Sequence, residues 1–471
     1  MKAKLDDRVM AFLTWGTIAM VAITPLPLAS NRALPVILIV IAAALLALVA
    51  MMPTLLKDKR RLRRLRLPVL PTTLFVVVLA YIAIQGLLPL PFSLAHPLWA
   101  KAAAALGEPN LQAYLSIDPI STIERLPLLI AYGFLFIVSY LAARRFDRLY
   151  LLTIAVLISG GVWLGLSFAD FVINADQRLL GDPRAYPGVP TGPFVNRNSF
   201  ATYAGMIGTG GLVLVIWTLQ GSANTTYKGR RAIADTLNDQ SLPILFGLVL
   251  FVAGISLVIM TESRAGFSAT MLAVAIVVLL AGTTRRPTDV RGVKRSLWLL
   301  LLIALLALGW IFMLFRLSGE GLDTRFTLLD DDLRWSIFQH ILTIIEQRPI
   351  WGTGYDTFEA AYAMTRGAEQ LWQPPRIDHA HSTYLELAVE IGVPATIALV
   401  LAPCLLALKA IGAARKGGRA AMAPAMAVAW TVLLGMHTAV DFSAEMPAIA
   451  VLYAIILGMA SGAGRVLENR R

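Results

Sequence analysis

Residues 33–68 read ALPVILIVIAAALLALVAMMPTLLKDKRRLRRLRLP. The first 24 of these carry no charge, and the next 12 carry seven Lys and Arg. An apolar run of about 20 residues is long enough to cross the ~30 Å hydrocarbon core of a bilayer as a helix. A basic cluster at its end marks the cytoplasmic side, where Lys and Arg are retained. The same alternation repeats along the chain. Apolar runs fall at about 9–29, 33–56, 69–90, 124–143, 150–170, 199–219, 242–260, 265–282, 297–316, 385–412, 421–437 and 447–464. Twelve runs predict an all-α polytopic membrane protein, one membrane domain over residues 1–471. Its largest inter-span segment, 317–384, separates runs nine and ten.

Composition agrees. Of 471 residues, 57% are hydrophobic and 15% charged, with mean hydropathy +0.70. Soluble domains run nearer 45–50% and about 25%, so a water-soluble enzyme and a disordered chain are both excluded. The single cysteine, Cys404, excludes an internal disulfide. Set in LAPCLLAL, it reads as a buried, inert thiol. The first run follows MKAKLDDR, has no clear small-residue cleavage site after it, and is followed at once by a second run. It reads as a retained helix rather than a signal peptide.

The net charge is +12, but the basic clusters are short and lie between apolar runs, which points to membrane topology rather than nucleic acid. With the N-terminus in the cytoplasm, 28 of the 41 Lys and Arg fall on the cytoplasmic side, and both termini lie inside. Of the 13 on the other side, 12 are Arg and Lys101 is the one Lys. Topology needs only positive charge. Arg, unlike Lys, binds phosphate through two parallel hydrogen bonds, so this bias fits a phosphate-bearing ligand on the outer face. Pairing with loop carboxylates such as Asp330, Asp331 and Asp332 is the plainer alternative.

The outer segments carry the chemistry. Segment 91–123 contains a short helix over Leu98–Leu106. Segment 171–198 is rich in Gly and Pro. Segment 317–384 holds a helix-like stretch, DDLRWSIFQHILTIIEQ, ended by Pro349. It continues through WGTGYDTF, a helical piece near Phe358–Arg366, the pair Pro374 and Pro375, and DHAHSTYLELAVEIG. A structureless segment of that length would be unusual, so it is expected to fold over the membrane mouth. Gly352 and Gly354 read as a tight turn, since neither a strand nor a Lys-Ser pair accompanies them as a nucleotide loop requires.

None of the five histidines is cytoplasmic: His96, His340, His379, His381 and His437 all lie outside or at the outer edge. Histidine is the usual general base near neutral pH. His379 and His381 admit three readings: metal ligands, although no third and fourth ligand stands at close spacing; a catalytic base; or solvated residues before a helix capped by Ser382 and Thr383. Arg264, in TESRAG between runs seven and eight, sits close to hydrocarbon, where an Arg is costly and marks function by default; an ion pair with Glu262 is the alternative. Arg334 and Arg348 are fourteen apart and share a helix face, either as ligands or as a solvated face. Arg197 begins run six between Asn196 and Asn198, two residues suited to capping. His437 and Asp441, four apart, would meet on one helical turn, in a structural hydrogen bond or in catalysis.

Four segments, GPFVNRNSFATY, TESRAGFSA, LRWSIFQHILTIIEQRPIWGTGYDTF and HSTYLELAVEIGVP, together resemble the O-antigen ligase and O-antigen polymerase superfamily of bacterial inner-membrane glycosyltransferases. The resemblance covers about residues 115–460. It departs in one place: the family often has His-Asn where this chain has His381-Ser382. The resemblance implies a metal-independent, C-type glycosyltransferase without a cofactor. Such an enzyme takes a glycan from undecaprenyl diphosphate on the periplasmic face and passes it, with inversion, to an acceptor hydroxyl. The acceptor would be lipid A core, another lipid-linked glycan or a protein. By that likeness His381 is the base, or positions the acceptor hydroxyl. Arg264 and Arg334 hold the diphosphate, with Arg197, Arg348 and His379 as further substrate contacts. A flippase or transporter of a lipid-linked glycan is the alternative, disfavoured because ionisable residues cluster at the outer mouth rather than at mid-span.

Overall fold

The computed structural model describes residues 2–26, 28–56, 67–173, 186, 188–221, 240–284, 323–370, 372–374 and 376–468. Among these the chain is helical throughout; β-pairing is confined to an isolated antiparallel bridge, Leu90 to Ala113. The helices are α1 (Lys2–Ile23), α2 (Ala33–Leu56), α3 (Val69–Leu87), α4 (Pro97–Leu106), α5 (Pro119–Ala142), α6 (Phe146–Ile173) and α7 (Arg197–Gly221). They continue as α8 (Ser241–Met260), α9 (Arg264–Gly282), α10 (Asp323–Gln347), α11 (Phe358–Thr365), α12 (Thr383–Ala414), α13 (Met422–His437) and α14 (Pro447–Glu468).

Ten segments are long and apolar enough to cross a membrane. They coincide with ten of the twelve runs expected from sequence. The first run corresponds to α1, which is 22 residues long but begins with the charged KAKLDDR. The ninth, 297–316, lies outside the described residues. One boundary moves appreciably. Helix α5 begins at Pro119, five residues before the expected start, because Asp118 caps it by accepting hydrogen bonds from the backbone N–H groups of Ile120 and Ser121, each at 3.1 Å. The extension places Arg125 in the second turn of the helix.

Helix α7 is the buried post of the bundle, with its whole apolar window covered. It packs on α8 through glycines: a Cβ on Gly254 would stand 2.6 Å from Gly208 Cα, and one on Gly247 would stand 2.7 Å from the Gly211 carbonyl oxygen. Lipid gives apolar helices no reason to leave it, so small residues that let backbones approach supply the association. Helices α5 and α14, α9 and α13, and α2 and α5 form other main packing pairs.

Helix α12 is broken at Gly392, which takes φ +74°. The WGTGY turn is plugged into the break. Thr353 and Gly354 donate their N–H groups to the carbonyls of Val389 (2.9 Å) and Glu390 (2.8 Å), and Val393 donates to Pro349 (2.8 Å). Gln85 of α3 adds its amide to the carbonyls of Trp351 (2.9 Å) and Glu390 (3.1 Å). Groups that a continuous helix would have paired internally are thus satisfied by the loop. Gly352 and Gly354 have positive φ, and a side chain on either would collide with Glu390 or Ser116. The Gly-x-Gly pair is a turn, as its sequence context suggests.

Candidate functional site

The start of α12 defines what is called here the outer end. There the backbone N–H of Thr383 is received by the carbonyls of Thr438 (3.0 Å) and Asp441 (3.2 Å), and Ser382 caps α12 at Leu385. Segment 377–382 is held above the helix on Phe442. The imidazole of His379 stacks on that ring at 4.2 Å and 10°, and the ring of His381 meets it tilted at 5.6 Å. His381 adopts φ +51°, a left-handed conformation uncommon for a residue with a side chain.

His379 Nδ1 lies 3.1 Å from Glu386 and 3.2 Å from Glu445. The other Glu386 oxygen accepts the N–H of Ala380 at 2.7 Å. Burial alone would lower the His379 pKa, but the hydrogen bonds and charges of the two glutamates outweigh it and push the group up to about 11. The two carboxyl groups therefore favour the protonated imidazole of His379. The same three side chains offer a nitrogen and two oxygens within 4.8 Å of one another, enough to hold a metal ion; the clamped proton and a metal are alternative occupants. Sequence spacing brought no third ligand beside His379. The fold supplies Glu386 from the next helical turn and Glu445 from 66 positions on.

Beneath this cluster opens a cavity of about 580 Å³ between α3, α5, α12, α13 and α14. Its walls are mostly apolar, with Phe75, Leu128, Leu399 and Ala454 among them. Along α12 it runs from Thr383 to Leu406, a length of roughly 35 Å at the helical rise. Cys404, expected as a buried thiol, is partly buried, and one side of its helix lines the cavity. The head of the cavity holds His379, Glu386 and Glu445 together with Asp356, Glu359, Asp378, Glu390 and Arg125. Arg125 pairs with Asp356 at 3.5 Å. Burial raises the Asp356 pKa against the pull of Arg125. Of the described arginines Arg125 alone lines the cavity, and the sequence reading did not single it out.

A second region lies at the same end, where α7 and α9 begin. Asn196 caps α7 at Asn198 (2.7 Å) and Ser263 caps α9 at Gly266 (3.2 Å). Arg197 stands 3.5 Å from Glu262 and over the ring of Tyr186 at 5.2 Å. Arg264 is exposed at the first turn of α9. Glu262, the alternative ion-pair partner considered for Arg264, pairs with Arg197. Two helix N-termini and two guanidiniums in one place attract anions. This region joins the first through His437, whose Nδ1 meets the hydroxyl of Thr202 on α7 at 2.6 Å and whose ring lies beside Gly266 of α9. Helix α13 ends at His437, so Asp441 falls beyond the helical register that would have stacked the two; its carboxylate meets the Ser443 hydroxyl.

Arg348, His340 and His96 are engaged elsewhere in the outer segments. Arg348 donates to the carbonyls of Gly352 (3.0 Å) and Ala95 (3.4 Å), which ties the turn to the first outer segment. Arg334 falls on α10, with its side chain outside the described residues. His340 reaches the Thr365 hydroxyl at 3.0 Å and packs edge-on to Tyr362. His96 caps α4, its pKa lowered to about 4 by burial and by the charges of Arg348 and Lys101.

Ten apolar spans, a break in one of them plugged by the Gly-x-Gly turn, and a charged cluster at the head of an apolar cavity describe a multi-pass membrane protein with a candidate site at one end of its spans. Residues 249–400 match the family model of the O-antigen ligase, which supports the resemblance to the O-antigen ligase and polymerase superfamily and indicates an O-antigen ligase-type, glycosyltransferase-like function. The matched stretch contains TESRAG, the α10 helix, the Gly-x-Gly turn and the His381 segment; VNRNSF precedes it. No curated protein matches the chain.

Proposed function

We propose that this protein is an inverting glycosyltransferase of the bacterial inner membrane. It moves a glycan from undecaprenyl diphosphate to an acceptor hydroxyl at the periplasmic face, with both termini in the cytoplasm. The observation that carries the reading is the meeting of two unlike regions at the segment bearing His379 and His381. On one side stand two capped helix N-termini with Arg197 and Arg264. On the other is an apolar cavity about as long as a bilayer leaflet pair is thick.

In this scheme Arg264 and Arg197 receive the diphosphate, with Arg334 contributing from α10. Charge develops on the departing diphosphate in the transition state, and fixed donors there lower the barrier. The diphosphate is a good leaving group and needs no general acid. The acceptor hydroxyl is a weak nucleophile, so a base helps, and His381 is assigned that proton. His379, fixed by its two glutamates, orients the segment and borders the acceptor. Arg348 supports the site through the turn it holds. A hydrocarbon chain of a lipid-linked substrate lies in the cavity. The chemistry calls for no metal and no cofactor.

The test is transfer by the purified protein in nanodiscs, with undecaprenyl-diphosphate glycan as donor, in EDTA, with lipid A core present or absent. Transfer only to the core defines a ligase, and longer lipid-linked chains without it define a polymerase. Absence of turnover, or activity that returns only on adding zinc, refutes the proposal as stated.

A further inference from the structure

Arg125 is a guanidinium whose donors are largely unspent. It stands in the second turn of α5, one of the apolar spans, and its side chain is 27% exposed. Among the described residues the carboxylate in contact with it is Asp356, 3.5 Å from Nε. A firm charge-assisted hydrogen bond is nearer about 2.8 Å. The two terminal nitrogens donate to no described residue. A guanidinium carries five N–H donors, and keeping them unsatisfied beside hydrocarbon is costly. Asp356 does not account for that position: its own side chain is 48% exposed, and it follows the Gly-x-Gly turn rather than belonging to the bundle.

Arg125 lines the head of the cavity, and below it the walls are mostly apolar along α12 to Leu406. The acids nearby have other partners. Glu386 and Glu445 share His379 (3.1 and 3.2 Å), Glu359 holds Arg376 (2.7 Å), and Glu390 accepts the N–H of Phe358 (3.2 Å). A planar fork of donors matches the oxygens of a phosphate, and an apolar channel matches a hydrocarbon chain. An amphiphile with a phosphate joined to its chain satisfies both at once. Arg197 and Arg264 do not line this cavity, so the phosphate it would receive is not the one that those two hold.

Building on the transferase reading above, which gives the donor diphosphate to Arg197 and Arg264, we infer that Arg125 is the centre of a second phosphate site. The site takes the phosphate-bearing head of a lipid-anchored acceptor whose chain occupies the cavity. A phosphate making two parallel hydrogen bonds displaces the single long contact with Asp356.

The test is binding, without catalysis, to the full-length protein in nanodiscs, with empty nanodiscs as the reference. The probes are a polyprenyl phosphate, the matching polyprenol and inorganic phosphate. Arg197→Gln and Arg264→Gln are combined first, so that the donor region no longer contributes. In that background the polyprenyl phosphate is expected to bind about tenfold more tightly than the polyprenol, and inorganic phosphate is expected not to compete. Adding Arg125→Gln should abolish the difference, and adding Ala454→Trp, which fills the cavity, should remove binding of both lipids. Adding Asp356→Asn, which removes the contact of Arg125 without touching its charge, should leave phosphate binding intact or tighten it. Equal binding of the two lipids overturns the site, as does a difference that survives Arg125→Gln. A loss of the difference in Asp356→Asn overturns it too, because Arg125 then serves only the ion pair; this arm decides even where Arg125→Gln does not fold. Competition by inorganic phosphate, or lipid binding that survives Ala454→Trp, overturns the lipid-anchored ligand. The transferase reading is decided separately, by turnover.

Discussion

Replacing His379 with Gln takes a cation from between two carboxylates while filling much of its volume. Nδ1 stands 3.1 Å from Glu386 and 3.2 Å from Glu445, and the imidazole is only 24% exposed, so solvent screens the cluster little. The lift from 6.5 to about 11, at about 1.36 kcal/mol per pH unit, sets a ceiling of roughly 6 kcal/mol on what the charge contributes. Removing one member of a buried pair typically costs about 3–5 kcal/mol, and His379→Gln is expected to fall in that range. The folded value lies above the unfolded one. The contribution is therefore complete below about pH 6.5, shrinks as pH rises, and is gone above about pH 11. Thermal unfolding of both proteins in nanodiscs should show the widest gap near pH 6. By about pH 10 the His379 charge should still supply only ~1.4 kcal/mol. A gap of the same size at both pH values, or no gap at pH 6, refutes the imidazolium clamp.

His381→Ala is expected to abolish transfer with the protein still folded in the membrane; retained wild-type turnover removes His381 from the role of base. Arg264→Lys keeps the charge but loses the paired geometry, and should lower kcat/KM for the lipid diphosphate by up to about a hundredfold; unchanged donor kinetics separate Arg264 from the diphosphate. Gly254→Leu drives a side chain into the backbone of α7 at Gly208 and should cost several kcal/mol or prevent folding; normal yield and melting temperature would show that α7 and α8 are not held by this approach. Removing divalent metal with EDTA should leave both melting temperature and transfer unchanged, and a melting temperature restored by zinc would instead place an ion among His379, Glu386 and Glu445.

The spans were legible because an apolar run of the right length has one economical use, and the Gly-x-Gly turn because its surroundings lacked a strand. The head of the cavity was hidden for a different reason. Its carboxylates come from positions 356, 359, 378, 386, 390 and 445, which no local spacing joins. One signal was present: Glu386 and Glu390 stand four apart inside a run counted as a span, where acids are costly and mark a site. Arg125 was absorbed into the start of the fourth run, since the Asp118 cap that lengthens α5 is recognisable only once the helix is seen to begin there. Glu262 shows the limit of neighbour reasoning. It lies two residues from Arg264 yet pairs with Arg197 on another helix, because its own φ of +56° marks the turn between α8 and α9.

The break at Gly392 divides α12 into two pieces with different owners. The inner piece, past Val393, belongs to the bundle and to lipid. The outer piece, from Thr383 to Ile391, is laced at its last turn to Thr353 and Gly354, and at its first to Thr438 and Asp441. It carries Glu386 and Glu390, and it anchors the residues immediately before it, His379 and His381. One short piece of helix thus joins the Gly-x-Gly turn, the two acids and the two histidines.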